Sequence, residues 1–250
     1  MKALHFTGHF ASVALIALFA TACTTPPEDP EALAEYEEIN DPLEPTNRNF
    51  FAFNRGLDTV LFKPLAKAYV LLPKPVRDSI HNSINNVRAP VNFANDLLQG
   101  ELERAATVLG RFLINTTIGV GGMFDVAAHL GLERHNEDFG QTLGHYGVGG
   151  GVPIVLPFLG HSNLRDTFSL YPDYQLDPLH GGSYPHQALN RGTTIYRPDT
   201  YQELGVTIFE YVNEYSFRVE EYEAFRKDAI DFYLFLRDGT EQARNQEIKE

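Results

Sequence analysis

Cysteine occurs once in this 250-residue chain, at Cys23, so no intrachain disulfide can form and no cysteine-based zinc site can assemble. Cations are also few. Lys and Arg number 20 against 33 Asp and Glu, a net charge of −13, which argues against a nucleic-acid surface and against docking on anionic membrane through a polybasic patch. Strand-like alternation is scarce, so the expected fold class is all-α, or mainly α. No G-x-S-x-G, H-E-x-x-H, Walker or EF-hand pattern occurs. Gly144, Gly147 and Gly149 superficially suggest a nucleotide loop, but no predicted strand precedes them and their spacing is wrong for one. The apolar run VPIVLPFL at 152–159 is broken by Pro153 and Pro157 and falls well short of the about 20 residues that span a bilayer.

What the chain does have is glycine concentrated in one place. Residues 111–160 hold 11 of its 20 glycines. Each glycine inside a helix costs about 1 kcal/mol relative to alanine. The clusters Gly119, Gly121, Gly122 and Gly147, Gly149, Gly150, Gly151 are therefore expected to interrupt or end helices, as hinges or as points of close approach. Between them, residues 123–146 read either as a re-entrant, hairpin-like excursion or as ordinary Gly-rich loops around short helices. One short charged patch, at 133–138, lies within it. A hydrophobic fraction of 43% excludes bulk disorder and supports a substantial core, in one long domain or two small ones.

The N-terminus has a different character. A short lead with one Lys, the apolar run ASVALIALFA at 11–20, and the small residues Ala20, Thr21 and Ala22 precede Cys23. This resembles a bacterial lipoprotein signal, with an ordinary secretory signal or an anchor helix as the alternatives. Residues 1–22 would then be removed and Cys23 acylated; several chains on one cysteine anchor stably where one chain holds marginally. Thr24, in place of the Asp that favours inner-membrane retention, points to the outer membrane. The Pro-rich, acidic stretch 23–40 reads as a tether from lipid to a domain at 41–239.

Within that domain, apolar residues at helical spacing over 46–72, from Phe50 to Leu72, predict a helix that Pro64 splits or kinks. Its Phe50, Phe51, Phe53 and Phe62 make a face generous for a helix in water and natural for one lying in a membrane. Pro75 suits the first turn of a second helix with Val76, Ile80, Ile84 and Val87 on one side. Pro90 opens a third, closed by Gly100. Residues 101–117 form a fourth, with Leu102, Ala106, Leu109 and Leu113 as its apolar stripe. A short helix is expected over 162–170 with Ser162 or Asn163 as cap, then a loop over 171–183. Residues 200–237 carry the best helical periodicity and Gly239 is expected to stop them, leaving 240–250 as a polar, frayed tail.

Catalytic groupings are weak. His145 with Asp125 or Asp138 could be drawn as a base and its orienter, and Ser162 or Ser169 as a nucleophile, but sequence always permits such triads and a structural polar role suits His145 better. No histidine pair has helical metal-ligand spacing, so neither catalytic residues nor a metal or cofactor is expected.

Several strings occur in order: NDPLEPTNRNFFAFN at 40–54, LQG at 98–100, RFLINTTIGVGGMFDVA at 111–127, FGQTLGHYGVG at 139–149 and LPFLGHSNLRD at 156–166. Together they resemble the MlaA/VacJ family of outer-membrane lipoproteins. The resemblance implies a ring of helices around a central amphipathic channel, lying in the inner leaflet of the outer membrane and facing the periplasm. It implies a non-enzymatic role in lipid asymmetry: phospholipid misplaced in the outer leaflet is removed and passed to a periplasmic, MlaC-like lipid carrier, in association with a trimeric porin. The family's mobile hairpin corresponds to about 118–139, with Ile118, Gly119, Gly121, Gly122 and Phe139 at its ends and Gly147 and Gly149 as a hinge beside the channel. Ala52 and Phe53 fall where the N-terminal helix contributes to channel control. Two other roles stay open, a porin scaffold without transport and a lipid hydrolase using His145. The sequence departs from the family pattern at Pro45 and Thr46, after Asp166, and around 220–233.

Overall fold

A computed structural model describes residues 41–180 and 200–250. The signal segment, Cys23 and the tether lie outside the described residues, as do 181–183 of the expected loop.

The described residues open on helix α1 (Glu44–Leu57), pass through one π-helical turn (Asp58–Phe62) and continue as α2 (Lys63–Tyr69). The wide turn has a local cause. Pro64 has no N–H, and its ring would crowd the carbonyl four residues back in a regular helix; an inserted residue relieves the ladder without breaking it. Helix α3 (Lys74–Val87) has Pro75 in its first turn, and α4 (Ala89–Gln99) ends on Gly100, whose φ of +82° is the left-handed cap. Helix α5 (Leu102–Thr117) delivers the chain to the glycine-rich segment. That segment contains two short helices, α6 (Val126–His129), capped by Asp125, and α7 (Phe139–His145), which opens on a reciprocal capping box between Asp138 and Gln141.

The mainly helical expectation holds, with one insertion. Strands β1 (Pro153–Leu156) and β2 (Gly160–Asn163) pair antiparallel, Ile154 opposite Ser162. Two asparagines of α1 take up their edge. Asn47 accepts from the Val155 N–H and donates to the Pro153 carbonyl, and Asn54 does the same with Phe158 and Leu156. Ser162 is therefore a strand residue, and Asn163 is the cap of α8 (Leu164–Leu176), accepting from the Asp166 N–H.

Three expectations need correction. Helix α8 runs six residues past Leu170, straight through Pro172, where a loop was expected. Tertiary bonds override the proline: Asp173 accepts from the Phe139 N–H twice and from Asn95 Nδ2. A 3₁₀ turn (Pro178–His180) follows. Second, the periodic stretch beyond 200 is two helices, α9 (Thr200–Asp228) and α10 (Phe232–Glu247), parted where Asp231 caps the second by accepting from Tyr233 and Leu234. Third, Gly239 does not stop α10, and most of 240–250 is ordered helix rather than frayed tail. Arg244 holds it, bridging to Asp138 and Asp166.

Helix α5 turns out its expected stripe. Leu102, Leu109 and Leu113 are 69%, 45% and 52% exposed, whereas Ala105, Val108, Arg111 and Asn115 are buried. The apolar interior is split into two small clusters. Phe62 and Ala66 pack on Val212, Tyr215 and Val219 between α2 and α9, and Phe51 and Val155 pack on Phe232 and Tyr233 between α1, β1 and α10. Between the clusters the molecule is hollow. Among the described residues no helix is long and apolar enough to cross a membrane.

Candidate functional site

The hollow is a cavity of about 1030 Å³ ringed by α3, α4, residues 134–138, β2, α8, α9 and α10. Its wall is built from the polar faces of these helices. Nine carboxylates and six arginines line it, with Ile84, Val91 and Leu170 among the apolar contributors. Such a wall is wet and charged inside a protein whose outer surface is greasy. The exposed outer surface includes Val60, Leu71, Leu102, Leu113, Ile118 and Leu130. This inverts the usual arrangement of a water-soluble protein.

The wall charges are organised as local clusters. Arg165, 4% exposed, reaches Asp166 and the Val148 carbonyl. Arg244 is held by Asp138 and Asp166, whose pKa lies below the usual carboxylate value because hydrogen bonds from Arg165 and Arg244 outweigh the upward push of burial. Arg88 lies between Asp177 and Glu210, and His180 joins the same two acids. The Asp177 hydrogen bond raises the His180 pKa; burial pushes the Glu210 carboxyl up. Burial also lifts Asp173 to about 6 and lowers His161, packed against Phe51 and Tyr233, to about 4, with the Arg237 charge adding to the fall.

Residues 118–139 leave the end of α5, turn, and return along the lumen. A polar clasp closes their base. Asp125 accepts twice from Arg111, and also from Asn115, Arg134 and the Ala128 N–H, while the Ala127 N–H donates to Asn115. Further along, His135 meets Asp96, and Glu137 accepts from Gln99 and Arg104. Residues 123–146, expected either as a hairpin-like excursion or as loops around short helices, hold the two short helices α6 and α7.

The residues expected at the gate fall at the base and flank of this excursion. Ile118 is 65% exposed on the outer surface, and Phe139 sits at the start of α7 with its N–H on Asp173. Gly119 and Gly122 are close-approach points, since a Cβ at Gly122 would meet Asn86 Cβ at 2.5 Å. Gly121 and Gly147 occupy left-handed backbone at φ of +68° and +83° with open space around them, and Gly149 is likewise unobstructed. The lumen glycines are Gly150 and Gly151. Ala52 and Phe53 are exposed outside the ring, where Phe53 sets its ring edge-on to Phe158 at the β-hairpin tip. The drawn triad is not assembled. Asp125 and Asp138 are engaged by arginines, Ser162 bonds to Thr167, and Ser169 donates to the Asp166 carbonyl.

A model of the MlaA lipoprotein family matches residues 39–247. The chain belongs to the MlaA family. An uncharacterised protein of Rickettsia prowazekii is 34% identical over 214 residues, covering 85% of this chain and 79% of its own. The intermembrane phospholipid transport system lipoprotein MlaA of Escherichia coli is 41% identical over 132 residues, 51% of this chain and 53% of that protein. Its counterpart in Haemophilus influenzae is 38% identical over 152 residues, 56% of this chain and 61% of that protein. The chain thus spans a little over half the length of these MlaA proteins. A solved structure described as the structural basis for maintenance of bacterial outer membrane lipid asymmetry is 30% identical, with a TM-score of 0.68 over 83% of this chain and 98% of that one. The MlaA-like helical ring is therefore a family architecture, and the lumen arginines are what sequence reading missed. The charged patch at 133–138 was their one visible signal, because Arg88 and Arg244 meet partners that only the fold brings together.

Proposed function

We propose that the protein removes phospholipid misplaced in the outer leaflet of the outer membrane and passes it through the lumen to a periplasmic, MlaC-like carrier. The observation that carries this reading is the inversion of polarity: a charged cavity of about 1030 Å³ inside a ring whose outer helical faces are apolar. A phospholipid needs a polar path for its headgroup and an apolar surround for its chains, and this ring supplies both. The family relatives named as phospholipid transport lipoproteins support the same role. In this reading acylated Cys23 anchors the chain to the inner leaflet, a trimeric porin lies alongside, and 118–139 is the gate, with Gly147 and Gly149 as its hinge. The role is one of transfer, without covalent chemistry.

The test is the amount of phospholipid accessible in the outer leaflet of intact cells. Deletion is expected to raise it, and complementation with this chain to restore it. No change on deletion would overturn the reading.

A further inference from the structure

We propose that Arg134 is the lumen residue that takes the phosphodiester of the lipid headgroup. The assignment rests on the transport reading and adds a named contact to it. Arg134 lines the cavity from the returning limb of the 118–139 excursion, and its side chain is 28% exposed. Its Nη2 donates to Asn82 Oδ1 at 3.0 Å and to Asp125 Oδ2 at 3.1 Å. Among the described residues its Nε and Nη1 have no hydrogen-bond partner, so two donor groups of the guanidinium are free. Each of them can donate one charge-assisted hydrogen bond to a phosphate oxygen.

Charge accounting separates Arg134 from the other arginines of the wall. Arg88 faces two carboxylates, and Arg244 faces Asp138, Asp166 and Glu247. Arg165 sits on Asp166, Arg218 on Glu214, and Arg237 between Asp41 and Asp238. Arg134 shares its one carboxylate, Asp125, with Arg111, which is bound to it more closely at 2.7 Å. Two guanidiniums on one carboxylate leave Arg134 without a carboxylate of its own in direct contact, with Glu214 acting on it only across a distance. Burial lowers the Arg134 pKa, and the Arg111 charge lowers it further, against the pull of Asp125 and the more distant Glu214; an arriving anion would relieve this partly desolvated cation.

The same guanidinium ties the returning limb to α3 through Asn82 and to the cap of α6 through Asp125. A headgroup bound here therefore touches the clasp at the base of the excursion.

The experiment uses the full-length acylated protein in detergent, titrated with short-chain phosphatidylglycerol, short-chain phosphatidylethanolamine, a diacylglycerol of the same chains, and glycerol 3-phosphate. Both phospholipids are expected to bind, and diacylglycerol and glycerol 3-phosphate to bind far more weakly. Arg134→Gln should weaken both phospholipids roughly tenfold and leave diacylglycerol unchanged, with Arg134→Lys between. Asn82→Ala, which removes a neighbour of Nη2 and spares the free Nε and Nη1 donors, should bind as wild type does. Equal weakening in Asn82→Ala would make Arg134 a structural pin and overturn the assignment, as would unchanged binding by a folded Arg134→Gln. Glycerol 3-phosphate binding as tightly as lipid would also overturn it, in favour of a soluble phosphate ester. Wild type that binds neither phospholipid would overturn the transport reading and this assignment with it.

Discussion

A Cβ built at Gly119 would lie 2.3 Å from the Phe124 carbonyl oxygen and 2.5 Å from that of Asn115, both backbone atoms that cannot swing away. Gly119→Ala should therefore destabilise by about 1–3 kcal/mol through overpacking. Gly121→Ala meets no atom and bears only the strain of φ +68°, about 1 kcal/mol. Thermal melting of the two variants in detergent checks the order; equal losses would mean that Gly119 is not a close-packing point. Titration is also decided residue by residue. Asp173 has its pKa raised to about 6 by burial, so between its unfolded value near 4 and that point the folded state holds the extra proton. Its contribution to stability falls as pH rises through this window. His161, lowered to about 4 from 6.5 mainly by burial, does the reverse, because there the unfolded state holds the extra proton. The two oppose each other from about pH 4 to pH 6. Relative to wild type, Asp173→Asn should make melting temperature climb more steeply with pH across that interval, and His161→Asn less steeply. Two parallel curves would contradict the burial of both groups.

Helices were legible where a local residue sets their ends. Pro75, Pro90 and Gly100 act within one turn of themselves, and α3, α4 and α5 begin and end within a residue or two of expectation. Helix α8 and α10 were misjudged for the opposite reason. The local signal at Pro172 and Gly239 is a breaker, and what overrides it comes from far along the chain: Phe139 and Asn95 on Asp173, and Asp138 and Asp166 on Arg244. The α5 stripe was legible as a stripe, but a period marks a face without naming the medium that meets it. The site was hidden likewise, since its ion pairs join residues far apart in the chain, Arg88 and Glu210 being 122 positions apart. The C-terminal helix offers a direct check. Arg244 is largely buried between two carboxylates, so Arg244→Ala, or a stop after Gly239, should cost about 3 kcal/mol and lower the melting temperature. Unchanged melting would mean that residues 240–250 are the frayed tail their sequence suggests.

The molecule as a whole places its greasy surface outside and its charges within, and the transport reading depends on which medium meets that surface. Leu109 and Leu113 lie on the outward face of α5, away from the lumen, and neither belongs to either buried cluster. In water, Leu109→Lys with Leu113→Lys would be a surface change of within about 0.5 kcal/mol at each site. In hydrocarbon each lysine costs several kcal/mol, by insertion scales about 3 at the bilayer centre. The double variant should therefore fold and melt in detergent as wild type does. It should stay with the outer membrane, since in the proposed arrangement acylated Cys23 holds it there independently. It should nonetheless fail to clear phospholipid from the outer leaflet, because the ring can no longer settle to its working depth. Glu103→Lys, an exposed charge reversal on the same helix, should clear lipid normally and serves as the control for added positive charge. If the double lysine variant clears lipid as well as Glu103→Lys does, the α5 face meets water or protein, and the ring does not sit in the leaflet on that side.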